Sequence, residues 1–391
     1  MAMIVTSRTH LLALCVTLAL LPPGRALAAD PAIKPAIIGL ISTGSTTNTL
    51  AQLARKDVIG IFGGLVVQAR WRDLQPKEFG PLDTTVIDNV LTDLKGDNVT
   101  EYNTAAVNEK PPNNRTIGVR LRIFAGCTGG VNDAPEWAMK KDNGPTATVT
   151  FPITVWAQYD NKPEACELGE FWDPTSNYAK AWKRFQSLLA AKYDANPLIQ
   201  EVSITSCTSF SAEPFFLNLK EPVYTPDNPA PDPVPPLPAA AFLAAGFSGP
   251  AYRECLTRAV DDYAAWKTTR LEFSFNGFGG LSADQNDIAV SERIMRRCRL
   301  IAGPRCILSN HDLDTDTPST ILPIYVFERK FGPNITFQTL HVVPEHFEGT
   351  LRKGISLGAS SIEVWQEPEL GSFEHQSRAT LANWAAMFEP H

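Results

Sequence analysis

The sequence lacks most of the features that would place it quickly. It has no run of basic residues, and its 35 Lys and Arg stand against 42 Asp and Glu for a formal charge of −7. Nucleic acid and anionic membranes are therefore poor partners, because phosphate binding rests on clustered cations. No Gly-x-Gly-x-x-Gly or Gly-x-x-x-x-Gly-Lys-Ser/Thr is present, which counts against a nucleotide, and no cofactor is expected. The seven cysteines include no Cys-x-x-Cys, so zinc-ribbon and thioredoxin-type readings are weak. His341 and His346 do not spell His-Glu-x-x-His with Glu345 and Glu348, and no metal is assigned. No Gly-x-Ser-x-Gly elbow follows a strand, which disfavours a Ser-His-Asp hydrolase.

Long apolar runs are equally scarce. The clearest, Leu11 to Leu21, is too short to span a bilayer as a helix. Arg8 and His10 precede it and Ala26-Leu-Ala-Ala29 follows, so residues 1–29 are expected to be a secretory signal peptide cleaved near Ala28 or Ala29. Cleavage would remove two arginines and no acids, taking the formal charge from −7 to −9. The product is expected to be secreted or periplasmic, with no membrane contact once the signal has gone. Cys127, Cys166, Cys207, Cys255, Cys298 and Cys306 remain, and an even number in an exported chain favours disulfides. Pairing by neighbourhood gives Cys127–Cys166, Cys207–Cys255 and Cys298–Cys306, with buried free thiols as the alternative.

What is abundant is proline, 31 against 25 glycines, in a chain that is 44% hydrophobic and 20% charged. Short β-branched runs alternate with helical patterns, the signature of a parallel sheet with crossover helices. The strand candidates are Ala36–Ile41 or Asp57–Phe62, Leu65–Trp71, Ile117–Phe124, Ile199–Thr205, Leu271–Phe275, Cys306–Ser309, Ile335–Thr339 and Ser361–Trp365. Helical spacing runs over Thr85–Leu94, Tyr178–Tyr193, Tyr252–Thr269, Asp287–Ile301, Ile324–Lys330, Glu348–Leu357 and Ser377–Phe388. Eight strands with intervening helices predict an α/β fold, one (β/α)8 TIM barrel with elongated βα loops over residues 30–391. An open doubly wound sheet is the alternative. The Pro-rich stretch 222–238 falls in a loop insertion over 214–250, between strand four and its helix, where it runs extended. It reads either as a lining of the active end of the barrel or as a rigid surface insertion.

Residues at strand C-termini carry the function of such a barrel. Here they include Arg70-Trp71, Arg122, Glu213, Asn310-His311, Gln338 and Glu363-Val-Trp365-Gln-Glu367. Further along the same loops stand Leu74-Gln-Pro76, Gly80, Leu82-Asp83, Ile87-Asp88, Pro135-Glu-Trp137 and Trp172-Asp-Pro174. This set resembles the clan A glycoside hydrolases built on (β/α)8 barrels, in particular their β-galactosidase-like branch. The likeness covers most of residues 60–215 and, more loosely, 330–390. It implies a saccharide substrate and two carboxyl groups facing across the sugar, one protonating the leaving oxygen and one attacking or activating water.

In that clan the acid/base ends strand four, and the matching residue is Glu213; the nucleophile ends strand seven, where this chain has Gln338. A neutral amide cannot form a glycosyl-enzyme. Period-two alternation puts Glu363, Trp365 and Glu367 on one face of the last strand, opposite Ile362 and Val364. Glu363 is therefore the expected second carboxylate, with a buried partner of Arg70 or Arg122 as its other reading. Glu213 is alternatively a loop carboxylate that caps the following segment. Arg70, Trp71, Arg122, Trp137, Asn310, His311, Gln338, Trp365 and Glu367 are the expected saccharide-binding residues. The two functional readings are a secreted glycoside hydrolase and a barrel that binds carbohydrate without cleaving it.

Overall fold

The computed structural model describes residues 32–44, 60–94, 117–128, 131–139, 148–154, 163–209, 213–214, 242–275, 288–316, 322–340, 344–365, 373 and 376–388. Eight parallel strands close into a barrel: β1 (Gly39–Thr43), β2 (Gly64–Arg70), β3 (Gly118–Phe124), β4 (Ile199–Ser203), β5 (Arg270–Ser274), β6 (Cys306–Leu313), β7 (Ile335–Thr339) and β8 (Ala359–Trp365). Each pairs with its neighbours in the chain, and β1 closes on β8 through Gly39–Ser361 to Thr43–Trp365. The (β/α)8 expectation holds. Of the two first-strand candidates, the structure uses the one around Gly39–Ile41.

The longer helices that follow strands β2 to β8 are α1 (Thr85–Asp93), α2 (Asn177–Tyr193), α3 (Gly249–Asp262), α4 (Ile288–Ala302), α5 (Leu322–Phe331), α6 (Phe347–Ser356) and α7 (Arg378–Ala386). Ser176, Ser248 and Ser377 cap α2, α3 and α7 by accepting backbone N–H groups of the first turn. The helix expected to run from Tyr252 to Thr269 begins earlier and stops at Asp262, because the Ser248 cap and Pro250 start it and a turn at Tyr263–Trp266 ends it. Two antiparallel hairpins are inserted between β3 and β4, at Cys127–Thr128 with Val131–Asn132 and at Thr148–Thr154 with Pro163–Gly169. The signal-peptide residues 1–29, the stretch 222–238 and Glu367 lie outside the described residues.

Apolar faces of the strands pack outward on the helices. Trp71 is the hub of an aromatic cluster with Trp137, Tyr178, Trp182 and Phe185, at centroid distances of 5.1–5.9 Å. The N-terminal end of the barrel is plugged by residues 34–37. Lys34 Nζ donates to the Ile199 carbonyl and to Thr269 Oγ1, both at 2.7 Å, and the Ile37 N–H donates to Glu201 Oε1. Ile37, Ile41 and Val66 form a small apolar floor there.

Disulfides join Cys207 to Cys255 and Cys298 to Cys306, as the spacing led us to expect. Cys127 is also disulfide-bonded; the side chain of Cys166 lies outside the described residues. No helix among the described residues is long and apolar enough to cross a membrane.

Candidate active site

Parallel register fixes which side chains point into the barrel. Arg120 pairs with Glu201, Ser203 with Glu272, Ser309 with Ser274, Thr336 with Ser361 and Gln338 with Glu363. Partners in a parallel pair face the same way, so the interior is a stack of polar and charged groups, where barrels of this kind usually bury branched apolar ones. Burying a charge costs several kcal/mol unless it is paired, and the pairing here is extensive.

At the lower level, Arg120 is fully buried. Its Nη2 lies 2.8 Å and its Nε 2.9 Å from Glu201 Oε2, its Nη1 donates to Glu363 Oε2 at 3.1 Å, and its Nη2 to Thr336 Oγ1 at 3.2 Å. One turn of the pleat higher, Arg122 donates to both oxygens of Glu363 at 2.7 Å and to Gln338 Oε1 at 3.1 Å. Burial alone pushes Glu363 up, but the guanidiniums of Arg122 and Arg120 outweigh it and hold the carboxyl below its usual range. The reading of Glu363 as a buried arginine partner is thus realised with Arg122 and, beside it, Arg120. Arg70 turns elsewhere, to Asp133 at 3.1 Å. Burial pushes Asp133 up to about 7 against the Thr128 hydrogen bond and the nearby Arg70.

Above this level the imidazole of His311 stands between two carboxylates. Nε2 is 3.0 Å from Glu272 Oε1, and Nδ1 is 2.6 Å from Glu213 Oε1. Burial lowers the imidazole pKa, but the two carboxylates reverse this and lift it to about 10, so His311 is an imidazolium at neutral pH. Burial also pushes Glu272 up; the His311 hydrogen bond, with Arg120 and Arg122 behind it, takes it well below its usual range. Glu213 is the member of this set that reaches solvent, at 18% side-chain exposure against 1% for Glu272 and 0% for Glu363. Beside it, burial and the Glu213 charge push Asp312 up to about 7.

The remaining expected residues divide. Gln338 and Trp365 belong to this assembly: Gln338 is buried against Arg122, and half-buried Trp365 donates its indole N–H to the Thr339 carbonyl at the C-terminal end of β8. Asn310 is fully buried and braces the bulge in β6, donating to the Phe275 carbonyl and accepting from the Asp312 N–H. Trp71 is 0% exposed in the aromatic core, and Trp137 packs on it while donating to the Gln75 carbonyl. The segment Gly354-Ile-Ser-Leu-Gly358 has the lettering of a nucleophile elbow, but it runs from helix to strand, and Ser356 donates to the Lys353 carbonyl. Strand position alone did not single out Arg120, Glu201 and Glu272. Their signal was there all the same, as charges alternating with apolar residues in the middle of strands.

No family model matches the chain, and no curated protein matches its sequence. Solved structures do match. The catalytic domain of a β-amylase from Paenibacillus polymyxa covers 92% of this chain and 100% of its own, at 9% identity and a TM-score of 0.54. Xylanase B from Clostridium stercorarium F9 covers 90% and 97%, at 11% identity and a TM-score of 0.42. A D-allulose 3-epimerase from Methylomonas sp. covers 91% and 98%, at 10% identity and a TM-score of 0.41. At 9% identity the likeness to the β-amylase domain is one of fold.

Proposed function

We propose that this chain is an exported (β/α)8 hydrolase of O-glycosidic bonds in which Glu213 moves the proton and Glu363 is the second carboxylate. The observation that supports this is the placement of Glu213. It is a partly exposed carboxyl, beyond the C-terminal end of β4, over a layer of ionised carboxylates locked by Arg120, Arg122 and His311. As the C–O bond breaks, a glycosidic oxygen above Glu213 would take a proton that the His311 imidazolium passes through the Glu213 carboxylate, leaving His311 neutral, and the same pair would then take a proton back from incoming water. Glu363, held ionised by Arg122 and Arg120, would face the developing positive charge on the sugar from below. Trp365, inward-facing at the end of β8, supplies an apolar platform of the kind sugars stack on. The barrel shared with a β-amylase domain agrees with a saccharide substrate, and two disulfides agree with export.

A second reading has its own support. Gln338 occupies the position where the glycoside hydrolase clan carries its nucleophile, and both oxygens of Glu363 are committed to arginine. A barrel so built binds a saccharide without cleaving it. A panel of aryl glycosides separates the two. Hydrolysis by wild type that is lost in Glu213→Gln and in folded Glu363→Gln supports the enzyme, and undiminished hydrolysis in both variants sinks the assignment. Glycan binding without turnover in wild type, with turnover appearing in Gln338→Glu, establishes the binding barrel instead.

A further inference from the structure

Glu213 lies beyond the end of β4, outside the barrel ladder, yet its carboxylate meets a fully buried imidazole at 2.6 Å. Fixing one loop residue in one conformation costs roughly 1–2 kcal/mol of backbone entropy, so something must hold the segment. The helix α3 does so at both ends. Tyr252 and Cys255 stand three residues apart and share a face. Cys255 is bonded to Cys207, just past the end of β4, and Tyr252 Oη donates to the carbonyl of Pro214, the residue after Glu213, at 3.3 Å. Cys207 itself has φ +61°, a left-handed conformation that turns the chain out of the strand direction. Immediately after α3, Tyr263 Oη accepts the Thr205 N–H at 3.1 Å. All three anchors are buried, with Tyr252, Cys255 and Cys207 at 1–2% exposure.

We infer that the Cys207–Cys255 disulfide and Tyr252 are positioning groups that hold the Glu213 carboxylate on His311. The consequence for proton transfer rests on the proposed hydrolase reading; the placement does not. In an oxidising compartment the crosslink persists, and in a reducing one Tyr252 alone of the two would still hold Glu213, with no loss from the barrel ladder.

The test reads His311 itself. The groups facing it are Glu213 from the segment after β4, Glu272 from β5, Asp312 beside it on β6, Glu328 from α5 and, more distantly, Glu363 from β8. Histidine-selective 15N NMR of the full chain should show one imidazole titrating near 10, lowered by about one unit or more in Glu213→Gln. Cys207→Ala/Cys255→Ala should reproduce most of that drop, and Tyr252→Phe, which keeps the ring packing, a smaller part of it. Cys298→Ala/Cys306→Ala, which removes a crosslink between α4 and β6, should leave the titration unchanged. Wild-type titration in both the crosslink-free protein and Tyr252→Phe overturns the inference, as does an equal shift on removing Cys298–Cys306. Should the Cys207/Cys255 variant fail to fold, Tyr252→Phe decides alone. Turnover measured on the same samples reports separately: a wild type that hydrolyses nothing removes the hydrolase reading and leaves the titration result standing.

Discussion

Arg122 meets Glu363 fork to fork, with Nη1–Oε1 and Nη2–Oε2 both at 2.7 Å, in a place where neither side chain is more than 5% exposed. The pair cannot be opened cheaply. Glu363→Gln leaves two guanidiniums facing a neutral amide, and removing one partner of a buried pair costs about 3–5 kcal/mol. Denaturant unfolding should register a loss of that size. Glu213→Gln should cost less, because His311 can shed its proton and Glu213 sits at the solvent edge. Equal losses in the two variants would show that the Arg122–Glu363 level is not where the barrel interior is anchored.

This level of the barrel was half legible in the sequence. Alternation in Ser361–Trp365 correctly turned Glu363 inward, and the same rule applied to Val119-Arg-Leu-Arg122 and Leu271-Glu-Phe273 marks Arg120, Arg122 and Glu272. What alternation cannot give is stagger. Arg120 of β3 reaches Glu363 of β8 across the barrel, and Glu213 finds His311 from a different loop. These contacts depend on how strands are offset around a closed sheet, which no local pattern encodes. The hairpin at Thr148–Thr154 escaped for a local reason: Pro152 interrupts its alternation, and proline ordinarily argues against a strand interior.

Stability should depend on pH through His311. Its folded pKa of about 10 lies above the ordinary 6.5, so the folded state holds a proton that the unfolded state releases between those values. The contribution is complete below pH 6.5 and disappears as pH rises through 10. The sharpest measurement is the difference in unfolding free energy between wild type and His311→Asn. That gap should narrow as pH rises above 6.5, whereas a constant gap between pH 6.5 and 9 would mean that His311 is neutral in the fold. Lys34, pushed down to about 8 by burial, acts with the opposite sign but is common to both proteins and cancels.

A second acid tests the interior from outside the barrel. Glu328 on α5 is fully buried, neither carboxyl oxygen has a hydrogen-bond partner among the described residues, and burial holds its pKa well above the usual range. It is carried as the neutral acid, so its contribution is present below the ordinary carboxyl range and is lost as pH rises. Glu328→Gln removes the ionisable group at nearly constant shape. The variant should match or exceed wild-type stability at pH 8, with a smaller advantage or none at pH 4. A variant less stable than wild type at pH 8 would reveal a partner for Glu328.

The Cys207–Cys255 and Cys298–Cys306 disulfides should be unequal in thermodynamic effect. Cys207–Cys255 closes a separation of 48 residues and Cys298–Cys306 one of 8. Loop-closure entropy in the unfolded chain assigns about 4 kcal/mol to the first and about 2.5 kcal/mol to the second. Paired Cys→Ala variants compared by denaturant midpoint should preserve that order. The reverse order would mean that enthalpic effects in the native state outweigh the chain-entropy term.

Trp71 and Trp365 looked alike in the sequence, each a tryptophan at the end of a strand, and the structure gives them opposite surroundings. Trp71 has no exposed surface and touches four aromatic rings, so Trp71→Ala should cost about 3–5 kcal/mol through the cavity it leaves. Under the proposed function, any protein that still folds should bind saccharide as wild type does. Trp365 is half-buried at the C-terminal end of β8, with its indole N–H on the Thr339 carbonyl. Trp365→Ala should leave the unfolding midpoint nearly in place and weaken saccharide binding on the order of tenfold, the loss of one aromatic platform. Calorimetric titration of both variants with the same oligosaccharide distinguishes them, and a Trp365→Ala protein that binds as tightly as wild type would move the binding surface away from β8.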